Sequence, residues 1–92
     1  MMTLETTTQF RKDYKRVKRR GYNLALLKTV IDTLLMGEPL DIRNRDHALS
    51  GDMAKYRECH VQPNWLLIYR IEQDHLILIV HRTGTHADLF DE

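Results

Sequence analysis

Two apolar segments near the carboxyl end of the sequence constrain the fold more than any other feature. Residues 65–72 are apolar on both faces of an extended chain for most of their length, which is typical of a central strand covered on both sides. Residues 76–80 form a second apolar run. The link Gln73-Asp74 is too short for anything except a hairpin. The two segments are therefore predicted to be antiparallel neighbours.

A third predicted strand, residues 55–61, precedes this hairpin. Its side chains alternate between one face, with Arg57, Cys59 and Val61, and the other, with Tyr56, Glu58 and His60. The turn Gln62-Pro63-Asn64 leads into the central strand, so the three strands should form an antiparallel meander. Residues 38–54 are predicted to be a loop by their composition, and an ordered loop of this length in a small domain is often functional.

The amino-terminal half of the chain predicts a helix over about residues 8–20. Thr7 or Thr8 can accept a hydrogen bond from a free amide at its start, and Gly21 is suited to its end. The helical spacing of its apolar residues predicts a narrow core-facing stripe, made of Phe10, Tyr14 and Val17.

A second helix is predicted between Asn23, as its N-cap, and Gly37. Its apolar residues fall on one face at helical spacing: Leu24, Leu27, Val30, Ile31, Leu34 and Leu35. Residues 3–6 are rich in threonine and suit a short strand. The predicted fold class is α+β, with an N-terminal strand and a helical hairpin packed on a small, mainly antiparallel sheet.

The length and composition restrict the classes of protein to consider. A chain of 92 residues buries one core, so residues 1–92 are predicted to form a single domain. No apolar run approaches the ~20 residues that span a bilayer, and the first residues lack the features of a signal peptide. A cytoplasmic protein with no membrane partner is expected. Cys59 is the only cysteine, which excludes an internal disulfide and a Cys-rich zinc site.

The net charge of +1 conceals an asymmetry between the two halves. Residues 1–50 carry ten Lys/Arg and six Asp/Glu, whereas residues 51–92 carry four and seven. The candidates for phosphate contacts in the first helix are Lys12, Lys15, Arg16, Lys18, Arg19 and Arg20. A solvated helix face is the alternative interpretation. The acidic residues Asp88, Asp91 and Glu92 are expected to repel a polyanion locally.

The histidines are the strongest candidates for chemistry. The sequence has no phosphate-binding glycine loop, no His-Glu-x-x-His motif and no Gly-x-Ser-x-Gly motif, so neither a cofactor nor a nucleophilic serine is expected. Of the five histidines, His47, His60 and His86 lie at loop or strand ends. His75 in a hairpin turn and His81 within a strand are weaker candidates. Histidine is the usual proton carrier near neutral pH.

These residue types suit cleavage of RNA, which needs a base for the ribose 2′-hydroxyl, an acid for the leaving 5′-oxygen and a cation for the phosphate. Arg82 and His86 flank a Thr-Gly-Thr segment that we predict to be a flexible turn, so both could meet one phosphate. Asn64 and Trp65 offer a base-edge partner and a stacking surface, although Trp65 is also a candidate core residue. Three histidines and a water could instead bind zinc.

Three ordered motifs resemble those of the YafQ-type toxins in the RelE/ParE superfamily. They are His47-x-Leu49-x-Gly51, residues 56–69 (YRECHVQPNWLLIY) and residues 82–90 (RTGTHADLF). The similarity extends over almost the whole chain, including the basic first helix and the leucine-rich second helix. It implies a RelE-like fold and the toxin of a type II toxin–antitoxin pair.

Members of this family are mRNA interferases that cleave mRNA in the ribosomal A site, and we expect the reaction here to need no metal. The resemblance implies a DinJ/RelB-like antitoxin with a ribbon-helix-helix end, through which alone operator DNA is contacted. It also implies a role for each motif residue. His47, His60 and His86 correspond to the proton-transfer set and Arg82 to the phosphate clamp. Trp65 and Phe90 correspond to the RNA pocket, and the basic first helix to the ribosomal RNA contact.

One position departs from part of the family, because some relatives have aspartate where this chain has Asn64. An asparagine side chain orients a neighbour but accepts no proton at neutral pH, so histidine must act as the base. We expect His86 and His60 to share the base and acid roles, with His47 at the phosphate. The alternative within the superfamily is a ParE-like toxin that binds gyrase and has no nuclease activity.

Overall fold

The computed structural model describes residues 1–90, which form one five-stranded mixed sheet with helices. The strands are β1 (Thr3–Thr6), β2 (His47–Ala48), β3 (Arg57–Gln62), β4 (Trp65–Glu72) and β5 (Ile77–Gly84). The helices are α1 (Thr8–Arg19), α2 (Leu24–Leu35) and α3 (His86–Phe90), and two 3₁₀ turns span Ile42–Asn44 and Gly51–Met53. No helix among these residues is long and apolar enough to cross a membrane.

The strand order is β1-β5-β4-β3-β2. Strands β2 to β5 are antiparallel neighbours, and β1 pairs with β5 in parallel. This order confirms the predicted α+β class, the predicted meander and the short N-terminal strand. Because β1 covers only the first half of β5, the edge of β5 beyond Val80 is left for α1 to cover.

The helical hairpin begins and ends as its capping residues predict. The Thr7 hydroxyl oxygen accepts a hydrogen bond from the Phe10 amide at 3.0 Å, and the Asn23 side chain accepts one from the Ala25 amide at 3.1 Å. Gly21 adopts φ +80°, which lets the amides of Gly21 and Tyr22 reach the last carbonyls of α1.

The hydrophobic core lies between the helical hairpin and one face of the sheet. The helices contribute Phe10, Val17, Leu27, Val30 and Leu34, and the strands contribute Cys59, Val61, Trp65, Leu67, Tyr69, Leu78 and Val80. The prediction for Tyr14 is wrong, because its side chain is 36% exposed. Its ring lies against that of Phe10 at the rim of the core.

Three predicted boundaries also differ from the structure. The strand predicted over residues 76–80 continues to Gly84, and four residues rather than two link β4 to β5. Leu76 in this link has φ +52°, a left-handed conformation that closes the turn. The loop predicted over residues 38–54 contains β2, because its backbone at His47 and Ala48 pairs with the edge of β3.

Candidate active site

The sheet face opposite the helical hairpin brings three of the predicted site residues into two adjacent rows. Strand pairing aligns His47 with Glu58, Glu58 with Ile68, and Ile68 with Arg82 across four strands. Residues in register point to the same side of a sheet. The first row therefore carries an imidazole, a carboxylate and a guanidinium, with a buried isoleucine between the last two.

The second row contains His60, which pairs with Leu66, which in turn pairs with Gly84. His86 begins α3 and is separated from the end of β5 by one residue. The centroids of the His86 and His60 rings are 6.3 Å apart. The Phe90 ring is 5.9 Å from that of His86, and Phe90 is 38% exposed. The structure thus brings together His60, His86 and Phe90, as predicted from the motifs.

Glu58 is a site residue that the sequence analysis did not single out. Its side chain is 7% exposed, and its Oε1 atom lies 3.5 Å from His47 Nε2 and 3.9 Å from His60 Nε2. The predicted alternation had already placed Glu58 on the same face as His60. The available sequence signal was the spacing of two positions between Glu58 and His60, which puts a carboxylate next to a candidate histidine on one face of a strand.

The hydrogen bonds of His47 and His60 define which ring nitrogen carries a proton. His47 Nδ1 lies 2.7 Å from the Arg45 carbonyl oxygen, and His60 Nδ1 lies 3.2 Å from the Pro63 carbonyl oxygen. A carbonyl oxygen only accepts, so Nδ1 donates in both rings. In each ring, Nε2 is therefore the nitrogen that gains or loses a proton, and it faces Glu58.

Arg82 is held by a buried carboxylate on α1. Its Nε and Nη2 atoms donate to Asp13 at 2.6 and 3.2 Å, and the Thr83 amide donates to the same carboxylate at 3.2 Å. Asp13 is 1% exposed, and it also accepts a hydrogen bond from Arg16. Asp13 carries no signal in the sequence, because it is a single acid within a basic helix and its partners on β5 lie 69 and 70 positions away.

Asp88 links α3 to the end of α1. Both of its carboxylate oxygens accept hydrogen bonds from Arg20, at 2.6 and 2.9 Å, and the Thr85 amide donates to it as well. This arrangement corrects the expectation that Asp88 repels a polyanion, because its charge is already paired. The other two acids named with it, Asp91 and Glu92, lie outside the described residues.

The hydrogen bonds from Arg20 hold the pKa of Asp88 well below its ordinary value of 3.8. A carboxylate with a lowered pKa in the folded state stabilises the fold at every pH above its unfolded value. We expect Asp88→Asn to be less stable than the original chain at pH 7. The difference should stay constant down to about pH 3.8 and shrink at lower pH, as urea unfolding at several pH values would measure. A difference that does not change with pH would contradict the pairing.

The basic residues of α1 divide into two groups. Arg16 and Arg20, which follows the last residue of α1, form ion pairs with Asp13 and Asp88 at the protein surface. Four of the predicted phosphate contacts are exposed and have no ion pair among residues 1–90: Lys12, Lys15, Lys18 and Arg19. Arg11, which was not among the predicted contacts, has no ion pair either and donates to Thr6 and Thr8. Only this second group matches the predicted open surface for RNA, whereas Arg16 and Arg20 hold the site together.

The Thr-Gly-Thr segment is not the flexible turn that we predicted. Thr83 and Gly84 are buried and end β5, because their backbone pairs with Leu67 and Leu66 of β4. Gly84 has φ +150°, and a Cβ atom there would lie 2.8 Å from an Asp88 carboxylate oxygen. Glycine is thus required where the strand meets α3.

We expect Gly84→Ala to destabilise the protein by about 1–3 kcal/mol, through backbone strain and the displacement of Asp88. Gly37→Ala is the matched control, since Gly37 also has positive φ but its Cβ would meet nothing within 4 Å. Urea unfolding of both variants measures the difference. Equal losses of stability would show that the contact with Asp88 has no effect.

Trp65 requires a correction, because its side chain is 1% exposed and lies in the core, not on the surface of the site. Its indole N–H donates to the Thr83 hydroxyl at 2.8 Å, and its ring packs against Tyr22. Asn64 is exposed in the β3–β4 turn, where a side chain remains available to a ligand. Trp65 supports this turn from inside the core.

The remaining reactive side chains do not join the site. Burial raises the pKa of the Cys59 thiol to about 12, so it stays protonated and inert at neutral pH. His81 stacks on Tyr56, and burial lowers its pKa. Within residues 1–90, no three histidine, cysteine or carboxylate side chains lie close enough to hold a metal ion, so the three-histidine zinc arrangement is not assembled.

A small α+β domain with a helical hairpin on one sheet face, and histidines, a carboxylate and an arginine on the other, defines the class of RelE-like toxins. The family model described as a bacterial toxin of type II toxin–antitoxin systems, YafQ, matches residues 2–91. The chain therefore belongs to the YafQ family of toxins.

Individual relatives agree with this assignment. The chain is 38% identical over 88 residues to the mRNA interferase toxin YafQ of Escherichia coli K12, covering 95% of this chain and 94% of the relative. A metal-bound toxin from Helicobacter pylori is 39% identical, with a TM-score of 0.92 and coverage of 98% and 100%. The E. coli DinJ–YafQ complex is 36% identical, with a TM-score of 0.89 and coverage of 98% and 99%.

Proposed function

We propose that this protein is an mRNA interferase, an endoribonuclease that cleaves mRNA in the ribosomal A site as the toxin of a type II toxin–antitoxin pair. One observation carries the chemical part of the proposal: the His60 and His86 rings lie 6.3 Å apart, and the adjacent row of the sheet carries Arg82, which is fixed in orientation. The E. coli relatives bear the name mRNA interferase, which supports the choice of substrate.

In this proposal the ribose 2′-hydroxyl attacks the adjacent phosphorus and no metal takes part. A base removes the proton from the 2′-oxygen, the P–O5′ bond breaks, and an acid protonates the departing 5′-oxygen. The products are a 2′,3′-cyclic phosphate and a 5′-hydroxyl. Arg82 donates to the phosphate oxygens as charge accumulates on them, since its Nη1 atom has no partner among residues 1–90.

His86 suits the role of the base. It is exposed at the start of α3, and its imidazole makes no hydrogen bond with other side chains or carbonyls among residues 1–90. A neutral ring in this position keeps a free lone pair for the 2′-hydroxyl proton. Phe90 covers one side of the ring and offers a surface for a nucleotide base.

His60 suits the role of the acid. Its Nδ1 proton is engaged by the Pro63 carbonyl, and its Nε2 lies near Glu58, so a protonated ring has a partner for each N–H. Transfer of the Nε2 proton to the 5′-oxygen leaves a neutral ring whose tautomer is already set. His47 shares Glu58 and contributes a second imidazole toward the phosphate. Asn64, exposed in the adjoining turn, is proposed to contact a base edge.

The exposed cations of α1 provide a surface for ribosomal RNA, separate from the cleavage site. Lys12, Lys15, Lys18 and Arg19 neutralise phosphates without giving up internal ion pairs. Near His60, a cleft of about 310 Å³ lined by Arg43, Arg45, His60 and Pro63 offers a path for the mRNA backbone. A protein that acts on translating ribosomes works in the cytoplasm.

The proposed partner is a DinJ/RelB-like antitoxin, because a solved relative is the toxin of a DinJ–YafQ complex. We propose that the antitoxin's C-terminal segment covers the basic helices or the sheet edge. Operator DNA is then contacted through the ribbon-helix-helix end of the antitoxin.

Ribosome dependence is tested with purified protein and a defined mRNA. We expect rapid cleavage when the mRNA is bound to ribosomes with an open A site, and little cleavage of the same mRNA alone. Primer extension maps the cut, and the cognate antitoxin should suppress it. Inhibition of gyrase without any cut in mRNA would contradict the proposal in favour of a ParE-like toxin. Equal cleavage of free and ribosome-bound mRNA would contradict the ribosomal part.

A further inference from the structure

We propose that Asp13 is a positioning residue for Arg82, acting from within the basic helix α1. This inference rests on the proposed function. Asp13 occupies two of the three nitrogen atoms of the Arg82 guanidinium, at 2.6 Å for Nε and 3.2 Å for Nη2. Such two-point contacts fix the plane of a guanidinium. The third nitrogen, Nη1, is thereby presented to the substrate phosphate.

The backbone of β5 explains why a carboxylate is needed at this place. Strand β1 pairs with β5 only as far as Val80, so the Thr83 amide lies at a sheet edge that α1 covers. A buried amide requires an acceptor, and Asp13 supplies it at 3.2 Å. The same carboxylate therefore fixes the main chain and the side chain of consecutive residues, Arg82 and Thr83.

The charges around Asp13 keep Arg82 attractive to a phosphate. A carboxylate paired with Arg82 alone would cancel the positive charge of that arginine. Arg16 also donates to Asp13, at 2.9 Å, and its buried Nε atom lies 4.0 Å from Asp88, which binds Arg20. These three arginines and two carboxylates leave one net positive charge. The network thus restrains Arg82 while preserving the charge that a phosphorane-like transition state requires.

The same network joins Arg82 to the helix that carries His86. Asp88 lies two residues beyond His86, accepts from the Thr85 amide and is clamped by Arg20. Contacts with α1 and the residue that follows it therefore hold both Arg82 and the helix of the proposed base, His86, in place. An apolar residue at position 13 would leave the Thr83 amide without an acceptor and the Arg82 guanidinium without a restraint. An asparagine could still accept from the Thr83 amide, so the negative charge itself is what the orientation of Arg82 requires.

A double-mutant cycle on the ribosome-dependent cleavage rate tests this coupling. We expect Arg82→Ala to lower the rate at saturating ribosomal complex by about 10²–10³-fold, and Asp13→Asn to lower it by about 10–10²-fold, as for a misplaced catalytic group. If Asp13 acts through Arg82, the double variant should match Arg82→Ala within about 2-fold. Asp32→Asn, which breaks an exposed pair with Lys28, is the control and should retain the original rate.

A second measurement does not depend on activity or on the folding of a variant. In the original chain, the Arg82 Nε–H resonance, assigned through bond correlations along the Arg82 side chain, should exchange slowly with water because Asp13 accepts from it. A fast-exchanging Arg82 Nε–H would overturn the proposal, as would independent, multiplicative effects of the two substitutions. Slow exchange with no mRNA cleavage by the original chain would instead reject the proposed function and leave Arg82 as a structural residue.

Discussion

Replacing His86 with alanine is expected to lower the rate of ribosome-dependent mRNA cleavage by about 10²–10⁴-fold, the usual contribution of a general base or acid. The substitution should leave folding nearly unchanged, because His86 is exposed and opens a helix of five residues whose capping contacts come from Thr85 and Asp88. Binding to the ribosome should also be retained, since the cations of α1 are untouched.

The matched control for His86→Ala is His75→Ala. His75 is 71% exposed in the β4–β5 turn, and its one ion pair among the described residues is with Glu72, so its loss should not affect cleavage. Thermal unfolding of both variants separates a catalytic loss from a structural one. A His86→Ala protein that cleaves ribosome-bound mRNA at a near-normal rate would eliminate His86 as the base.

Replacing Trp65 with alanine is expected to cost about 3–5 kcal/mol of folding stability. The indole is 1% exposed, packs edge-on against Tyr22 and donates to the Thr83 hydroxyl, which itself donates to the Leu66 carbonyl. Its removal leaves a cavity beneath the β3–β4 turn and an unpaired hydroxyl oxygen. Since Thr83 adjoins Arg82, the active site should be disturbed as well.

Trp65→Phe separates the two possible roles of this residue. It retains most of the buried volume and loses the indole N–H, so we expect a loss of about 1–3 kcal/mol for the unsatisfied partner and measurable cleavage by the folded fraction. Urea unfolding gives the stability of both variants. A Trp65→Ala protein as stable as the original but unable to cleave mRNA would restore the predicted role in substrate binding.

The elements that could be predicted from the sequence are those whose signals are local. Three such signals are close in sequence to the element that they predict. They are the leucine spacing of α2, its Asn23 cap and the short links between the last three strands. These signals were sufficient for the α+β class and the antiparallel meander. Residue types and positions had already made His47, His60, His86 and Arg82 candidates, and the motif resemblance assigned their roles and added Phe90. The structure places all five on the sheet face opposite the helical hairpin or at its end.

The features that escaped prediction depend on contacts between distant parts of the chain. The pairing of Asp13 with Arg82 joins residues 69 positions apart, and a basic helix gave no indication that one acid within it was buried. The extension of β5 through Thr83 and Gly84 depends on its partner β4, whereas the glycine and threonines suggested a turn. Trp65 lies on a strand buried on both faces, so alternation did not show whether its ring faced the helices.

The chemistry of the cleaved ends tests the central claim most directly. Ribosomes carrying a defined mRNA would be incubated with the purified protein in the presence of EDTA. Only the magnesium that the ribosome needs would be added back. The new mRNA ends would then be analysed by mass spectrometry. Attack by the 2′-hydroxyl predicts 2′,3′-cyclic phosphate or 3′-phosphate ends with matching 5′-hydroxyl ends, at a rate unchanged by prior removal of transition metals. Ends carrying a 3′-hydroxyl and a 5′-phosphate, or cleavage that returns only when zinc or copper is added, would contradict it.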